Sequence, residues 1–135
     1  MVLSRYRPNG RLDRRFGGGD GLVYTSAGSA IRFNARGNGV GVQPDGSIVV
    51  AGSSAPVRAG SNDGPGRFVV FRFLPNGRRD RGFFGDGAFA ARFGAYSAEA
   101  TQVLIGPGGR LVVAGTSAFQ PRYSDLRGIV ARFRG

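Results

Sequence analysis

The chain repeats itself, and the repeat limits what it can fold into. Tyr6-Arg7-Pro8-Asn9-Gly10-Arg11-Leu12-Asp13-Arg14-Arg15-Phe16 returns as Phe73-Leu74-Pro75-Asn76-Gly77-Arg78-Arg79-Asp80-Arg81-Gly82-Phe83. Each copy runs into a glycine-rich turn, Gly19-Asp20-Gly21 or Gly85-Asp86-Gly87. A second block, Gln43 to Ser53, returns as Gly106 to Thr116. A third start, Val130-Ala131-Arg132-Phe133, echoes Leu3-Ser4-Arg5-Tyr6 and Val70-Phe71-Arg72-Phe73. Arg5, Arg72 and Arg132 stand 67 and 60 positions apart. A period of this length marks one supersecondary unit that buries its apolar face only against its neighbours. The whole of 1–135 therefore reads as one repeat region, with copies at about 2–67 and 68–128 and a third beginning at 129–135.

The blocks read as strands and turns. Pro8-Asn9-Gly10 and Pro44-Asp45-Gly46 are turn tripeptides, because proline presets φ and Asn or Asp before Gly tolerates left-handed backbone. Ile48-Val49-Val50-Ala51 and Leu111-Val112-Val113-Ala114 are unbroken apolar runs, the pattern of a strand covered on both faces. With 25 glycines and 7 prolines in 135 residues, helix is disfavoured throughout.

Four strands are expected per period. The first is Gly39 to Gln43, copied at Ala100 to Ile105. The second is Ser47 to Ser53, copied at Arg110 to Thr116. The third is Phe68 to Phe73, copied at Val2 to Tyr6 and Ile129 to Phe133. The fourth is Ala88 to Phe93, with a less regular counterpart at Leu22 to Thr25. Four short antiparallel strands per period make one blade of a β-propeller, so the fold class is all-β, about two blades of a partial propeller. A β-solenoid or a small sandwich is the alternative architecture. The chain opens inside a strand of the repeat, so upstream sequence, or association with further copies, is expected.

The phrase Gln43-Pro44-Asp45-Gly46-Ser47-Ile48-Val49-Val50-Ala51-Gly52-Ser53 resembles the signature of the delta-sixty repeat, a bacterial β-propeller repeat. Arg5-Tyr6-Arg7-Pro8-Asn9-Gly10-Arg11-Leu12-Asp13, followed by Phe16-Gly17, resembles its other half. The resemblance implies a propeller with an NHL-like strand pattern, usually within long, surface or secreted bacterial proteins, and implies no defined activity. The chain departs from the pattern at Gly106-Pro107-Gly108-Gly109, where the acidic turn residue is lost, and at Arg79, where the family favours an apolar residue.

Composition narrows the chemistry. There is no cysteine and no histidine, so thiol nucleophiles and the usual Cys/His zinc sites are absent. No lysine is present either; all 19 basic residues are arginine. The common bases of a Ser hydrolase are therefore missing. Gly17-Gly18-Gly19-Asp20-Gly21 lacks the Gly-Lys-Ser/Thr ending of a phosphate loop. Asp20, Asp45 and Asp86 are isolated in Asp-Gly turns and begin no calcium loop. One glutamate, Glu99, and seven aspartates offer no singled-out carboxylate pair for a glycosidase. No enzyme, cofactor or metal site is expected. No apolar stretch is long enough for a signal-peptide core or a membrane span.

Asp13 and Asp80 recur before a phenylalanine, and a residue repeated in every unit reads as structural. Each is expected to cap its own turn and to pair with Arg5 or Arg72, which precede them by the same interval. Phe16 and Phe83 are expected to pack between units. Arg132 shares the strand position of Arg5 and Arg72, and for all three a packed stem with the head on a local carboxylate is expected, the alternative being a ring of arginines that holds an anion.

Formal charge is +11. Arg11, Arg14 and Arg15 cluster in one turn, and Arg78, Arg79 and Arg81 in its copy. Side by side they are the candidate anion-binding residues, for a polysaccharide or nucleic acid. The other partners expected are further repeats, copies of the same chain, or a protein ligand. Any specific binding surface is expected on the loops Ser54 to Arg67, Ala118 to Arg127, Ala27 to Asn38 and Gly94 to Glu99, which differ most between copies.

Overall fold

The computed structural model describes residues 1–25, 33–56, 65–120 and 125–134. Nine strands are found among them: β1 (Val2–Ser4), β2 (Leu22–Tyr24), β3 (Phe33–Val42), β4 (Ile48–Pro56), β5 (Arg67–Phe73), β6 (Ala88–Ala91), β7 (Ser97–Ile105), β8 (Leu111–Ala118) and β9 (Leu126–Phe133). A single 3-10 turn at Pro107–Gly109 is the one helical element among the described residues. Every strand pairs antiparallel with its sequence neighbour in one of three sheets, ordered β1-β2, β3-β4-β5-β6 and β7-β8-β9. This is a partial β-propeller. The first sheet holds a third and fourth strand, the second a full set of four, the third a first, second and third strand.

The unbroken apolar run Ile48–Ala51 sits where the central sheet is covered on both faces, whereas Leu111–Ala114 lies in β8 of the third sheet, with Leu111 and Val113 buried and Val112 and Ala114 only half-buried. In β4 and β5, Val49, Ala51, Phe68 and Val70 turn to the third sheet and meet Ala98, Ala100, Val103, Leu111, Val113 and Phe133. Their neighbours Ile48, Val50, Val69, Phe71 and Phe73 turn the other way, with Phe16, Leu3 and Val23 of the first sheet. The alternation is the period-2 pleat of a strand, here with both sides dry. Phe16, Phe68, Phe71 and Phe73 have no exposed surface, and each buried ring stabilises the packing by about 1.5–3 kcal/mol.

Polar bonds stitch the second sheet to the third. Asn38 Nδ2 donates to the Ala100 carbonyl at 2.8 Å. Gln43 Nε2 donates to the Gly109 carbonyl at 2.7 Å. Ala98 N–H donates to the Gly66 carbonyl at 3.0 Å.

Two details lay outside the sequence reading. A β-bulge interrupts β3 between Gly37 and Gly39, and another interrupts β7 between Ala100 and Gln102. At each bulge a glycine of the facing strand lies against the backbone: a Cβ on Gly52 would stand 1.8 Å from the Arg36 carbonyl oxygen, and one on Gly115 2.1 Å from that of Glu99. The glycine of the Val-Ala-Gly phrase is thus there for backbone approach, as at other bulges. The first strands are also longer than expected. Asn34 to Asn38 belong to β3, Ser97 to Glu99 to β7, and Ser54 to Pro56 to β4, so these parts of the anticipated loops are ladder instead. The bulge explains the underestimate, since it breaks the alternation while pairing continues. Of the remainder of those loops, 27–32, 57–64 and 121–124 lie outside the described residues.

Candidate functional site

The recurring aspartates do two jobs with their two oxygens. Asp13 Oδ1 accepts from Arg15 N–H at 3.1 Å, and Asp80 Oδ1 accepts from Gly82 N–H at 2.9 Å, closing Asx turns. The other oxygen takes the strand arginine. Arg5 Nε donates to Asp13 Oδ2 at 2.9 Å, and Arg72 Nε donates to Asp80 Oδ2 at 2.6 Å. Arg7 Nε adds a second, longer ion pair to Asp13, at 3.5 Å. The turn N–H of Arg15 first, then Arg5 and Arg7, hold the Asp13 carboxyl below the ordinary aspartate range, against a smaller opposing effect of burial.

A phenylalanine three residues on completes each unit. The Arg5 guanidinium carbon lies 4.7 Å from the centre of the Phe16 ring, and that of Arg72 lies 4.9 Å from Phe83. Both rings are buried between sheets. An arginine clasped by Asp and ring is thus part of the blade-to-blade packing, as its repetition implied.

The two arginine-rich turns lie against one another. Gly17 N–H donates to the Asn76 carbonyl at 3.1 Å, and Arg5 Nη1 donates to the Pro75 carbonyl. Gly77 explains the end of the Pro-Asn-Gly phrase. Its φ is +88°, and a Cβ there would stand 2.9 Å from the Phe16 ring. Only glycine takes that backbone in that space.

Arg11, Arg14, Arg15, Arg78 and Arg81 are exposed on these turns. Arg79 is engaged elsewhere: it is half-buried, its Nε and Nη2 reaching Thr25 Oγ1 at 3.0 and 2.6 Å. Its guanidinium lies 4.5 Å from the Phe71 ring centre and 5.5 Å from Phe73. Burial lowers its pKa, partly offset by Asp86. Arg79 fills the place held by Leu12 in the first copy, and it packs inward as an apolar residue there would.

The remaining acidic turns are structural too. Asp20, Asp45 and Asp86 each accept the backbone N–H two residues ahead, at 2.9, 2.8 and 2.9 Å. Ser47 also donates its hydroxyl to Asp45 at 3.0 Å, and these two bonds, with Arg72 nearby, hold the Asp45 carboxyl below its ordinary range. Among the described residues no three His, Cys, Asp or Glu side chains come together as metal ligands.

Two clefts were not anticipated. One, of about 560 Å³, lies between β1 and the inner strands β3 and β4, lined by Met1, Leu3, Gly37, Val40 and Val50 among others. The other, of about 450 Å³, is lined by Gly108, Arg110, Arg132, Phe133 and Arg134. Among the described residues no carboxylate lies within ion-pair distance of Arg132, so the local partner expected for it is not found there. The signal that marks this cleft in the sequence is the departure at Gly108, where the first copy of the phrase has Asp45.

No helix among the described residues is long and apolar enough to cross a membrane. No curated protein and no solved structure matches the chain at a significant level. Residues 43–83 match the family model of a β-propeller domain of unknown function (DUF5122). That stretch holds β4, β5 and the Asp80–Phe83 turn, the part of the chain where sheet, turn and clasped arginine form one unit, and over it the chain is similar to a β-propeller repeat family.

Proposed function

We propose that this propeller region is a non-enzymatic scaffold that binds partner proteins through its sheet faces and edges. The observation that supports this is the contrast between equivalent positions. Val70 is fully buried against the third sheet, whereas Val130, at the same place in β9, is 75% exposed. Leu104 of β7 shares that outer face, and Val2 and Tyr24 stand exposed on the first sheet. Apolar sheet faces of this kind are association surfaces, and the outer edges of β1 and β9, unpaired among the described residues, add backbone donors and acceptors.

The second reading, binding of an anionic polymer, is favoured by the five exposed arginines on two touching turns. Salt separates the two. Apolar association persists as ionic strength rises, whereas phosphate or sulfate contacts weaken steeply. Light scattering at low and high salt, on the chain and on Leu104→Glu/Val130→Glu, tests the scaffold. Association that survives salt and is lost in the variant is expected. A monomer under all conditions, with heparin retention abolished by reversing Arg11, Arg14, Arg15, Arg78 and Arg81 to glutamate, decides for the polymer.

A further inference from the structure

The two Pro-Asn-Gly turns present the same set of outward groups, one set per blade. Asn9 Oδ1 accepts from Arg11 N–H at 3.1 Å, and Asn76 Oδ1 accepts from Arg78 N–H at 3.0 Å. Each asparagine is locked in an Asx turn with its Nδ2 left to donate. Arg11 and Arg14 stand beside it in the first turn, Arg78 and Arg81 in the second, and all four are exposed. None of them has a carboxylate within ion-pair distance among the described residues. Asp13, Asp20, Asp80 and Asp86 each accept a backbone N–H two residues ahead instead.

A neighbouring blade does not cover this set. The first turn meets its neighbour through Arg5 and Gly17, the second through Pro75 and Asn76. The two turns are thus flanked on different sides, and their arginines stay exposed in both situations. Packed sheets lie about 10 Å apart, so the set recurs at roughly that interval, close to the length of a disaccharide. Charge on nucleic acid is far denser, one for about 1.7 Å of duplex axis. Guanidinium forks match carboxylates and tetrahedral oxyanions, and an amide N–H₂ donates to hydroxyls.

We propose that the surface formed by these turns binds a linear acidic polysaccharide laid across the blades, one acidic disaccharide to each turn. Arg11 with Arg14, and Arg78 with Arg81, take the carboxylate or sulfate of successive disaccharides. Asn9 and Asn76 donate to sugar hydroxyls. The inference rests on the anionic-polymer reading, names its ligand, and uses none of the sheet faces.

The test is fluorescence anisotropy with an end-labelled chondroitin sulfate octasaccharide, and with labelled oligo-dT of similar charge, at about 0.15 M salt. Saturable binding of the octasaccharide is expected, tighter than that of oligo-dT. A single disaccharide reaches one turn only and should bind at least about tenfold more weakly. Arg78→Gln/Arg81→Gln should weaken octasaccharide binding by about tenfold or more. Asn9→Ser/Asn76→Ser keeps an oxygen for each turn but loses the amide donors, and should weaken it by about threefold. Arg36→Gln/Arg110→Gln removes the same charge from exposed positions elsewhere and should change it by less than about twofold. Thermal unfolding of both arginine variants should match wild type. An equal loss in the Arg36/Arg110 variant, or none in the asparagine variant, overturns the proposal. Oligo-dT bound as tightly as the octasaccharide overturns the polysaccharide and keeps the anionic-polymer reading, whereas no saturable binding of either probe loses both.

Discussion

Arg79 donates through Nη2 to Thr25 Oγ1 at 2.6 Å, tying the end of the first sheet to the turn after β5. The guanidinium is half-buried over Phe71 and Phe73. Removing one partner of such a bond costs more than replacing the charge by an apolar group. Thr25→Val should therefore lower stability by about 1–2 kcal/mol, while Arg79→Leu, which restores the residue type of Leu12, should stay within about 1 kcal/mol of wild type. Urea unfolding monitored by circular dichroism measures both. A larger loss in Arg79→Leu than in Thr25→Val would falsify the tether.

The clasped arginine of the central sheet should be energetically real. The Arg72 and Asp80 side chains are each only 16% exposed, against 62% and 37% for Arg127 and Asp125. A double-mutant cycle on Arg72→Met and Asp80→Leu should give a coupling of about 1–2 kcal/mol. The same cycle on Arg127 and Asp125 should give none that can be measured, since solvent screens exposed pairs. Equal couplings would mean that burial does not set the strength of these pairs.

Gly52 should tolerate no side chain. Its Cβ would meet the Arg36 carbonyl at the β3 bulge, so Gly52→Ala should cost about 2–3 kcal/mol through overpacking. Gly128 of β9 has nothing within 4 Å of its Cβ position, and Gly128→Ala should be neutral or slightly stabilising. Melting temperatures of the two variants check this, and similar values would remove the bulge contact as the reason for the repeated glycine.

Acid should weaken the turns held by Asp13 and Asp45. Both carboxyls sit below their ordinary range in the folded chain, Asp13 chiefly through the Arg15 N–H and Asp45 through the Ser47 N–H and hydroxyl. Because the folded values are lower than the unfolded ones, the stabilisation is complete above the ordinary aspartate range and is lost as pH falls through the folded values. The urea midpoint should drop as pH falls from about 5 to about 2. Asp45→Asn keeps a turn acceptor without the charge, so its midpoint should drop less over the same interval. An identical drop would exclude Asp45 from the effect.

Much of the fold was legible before any coordinates. Two matched blocks in one order made the repeat, and the apolar runs Ile48–Ala51 and Leu111–Ala114 made strands, the first covered on both sides and the second fully on one side only. Proline, Asn or Asp, and Gly in succession made the turns. The shared interval from Arg5 to Asp13 and from Arg72 to Asp80 was enough to pair them, because a strand, a turn and a return bring those positions together through local geometry alone. Phe16 and Phe83 followed from the same repetition.

Tertiary packing decided the rest. Arg79 reads as one more turn arginine, but the space left by its neighbours' rings and the hydroxyl of Thr25 draw it inward. The bulges at Asn38 and Thr101 lengthen the first strands without leaving a periodic trace, because a bulge disrupts the alternation that marks a strand. Val70 and Val130 are the same residue at the same repeat position, as are Arg72 and Arg132. Sequence settled what each of them is, and only the neighbouring sheet settled whether it is buried, paired or exposed, since burial is a property of what packs against a side chain.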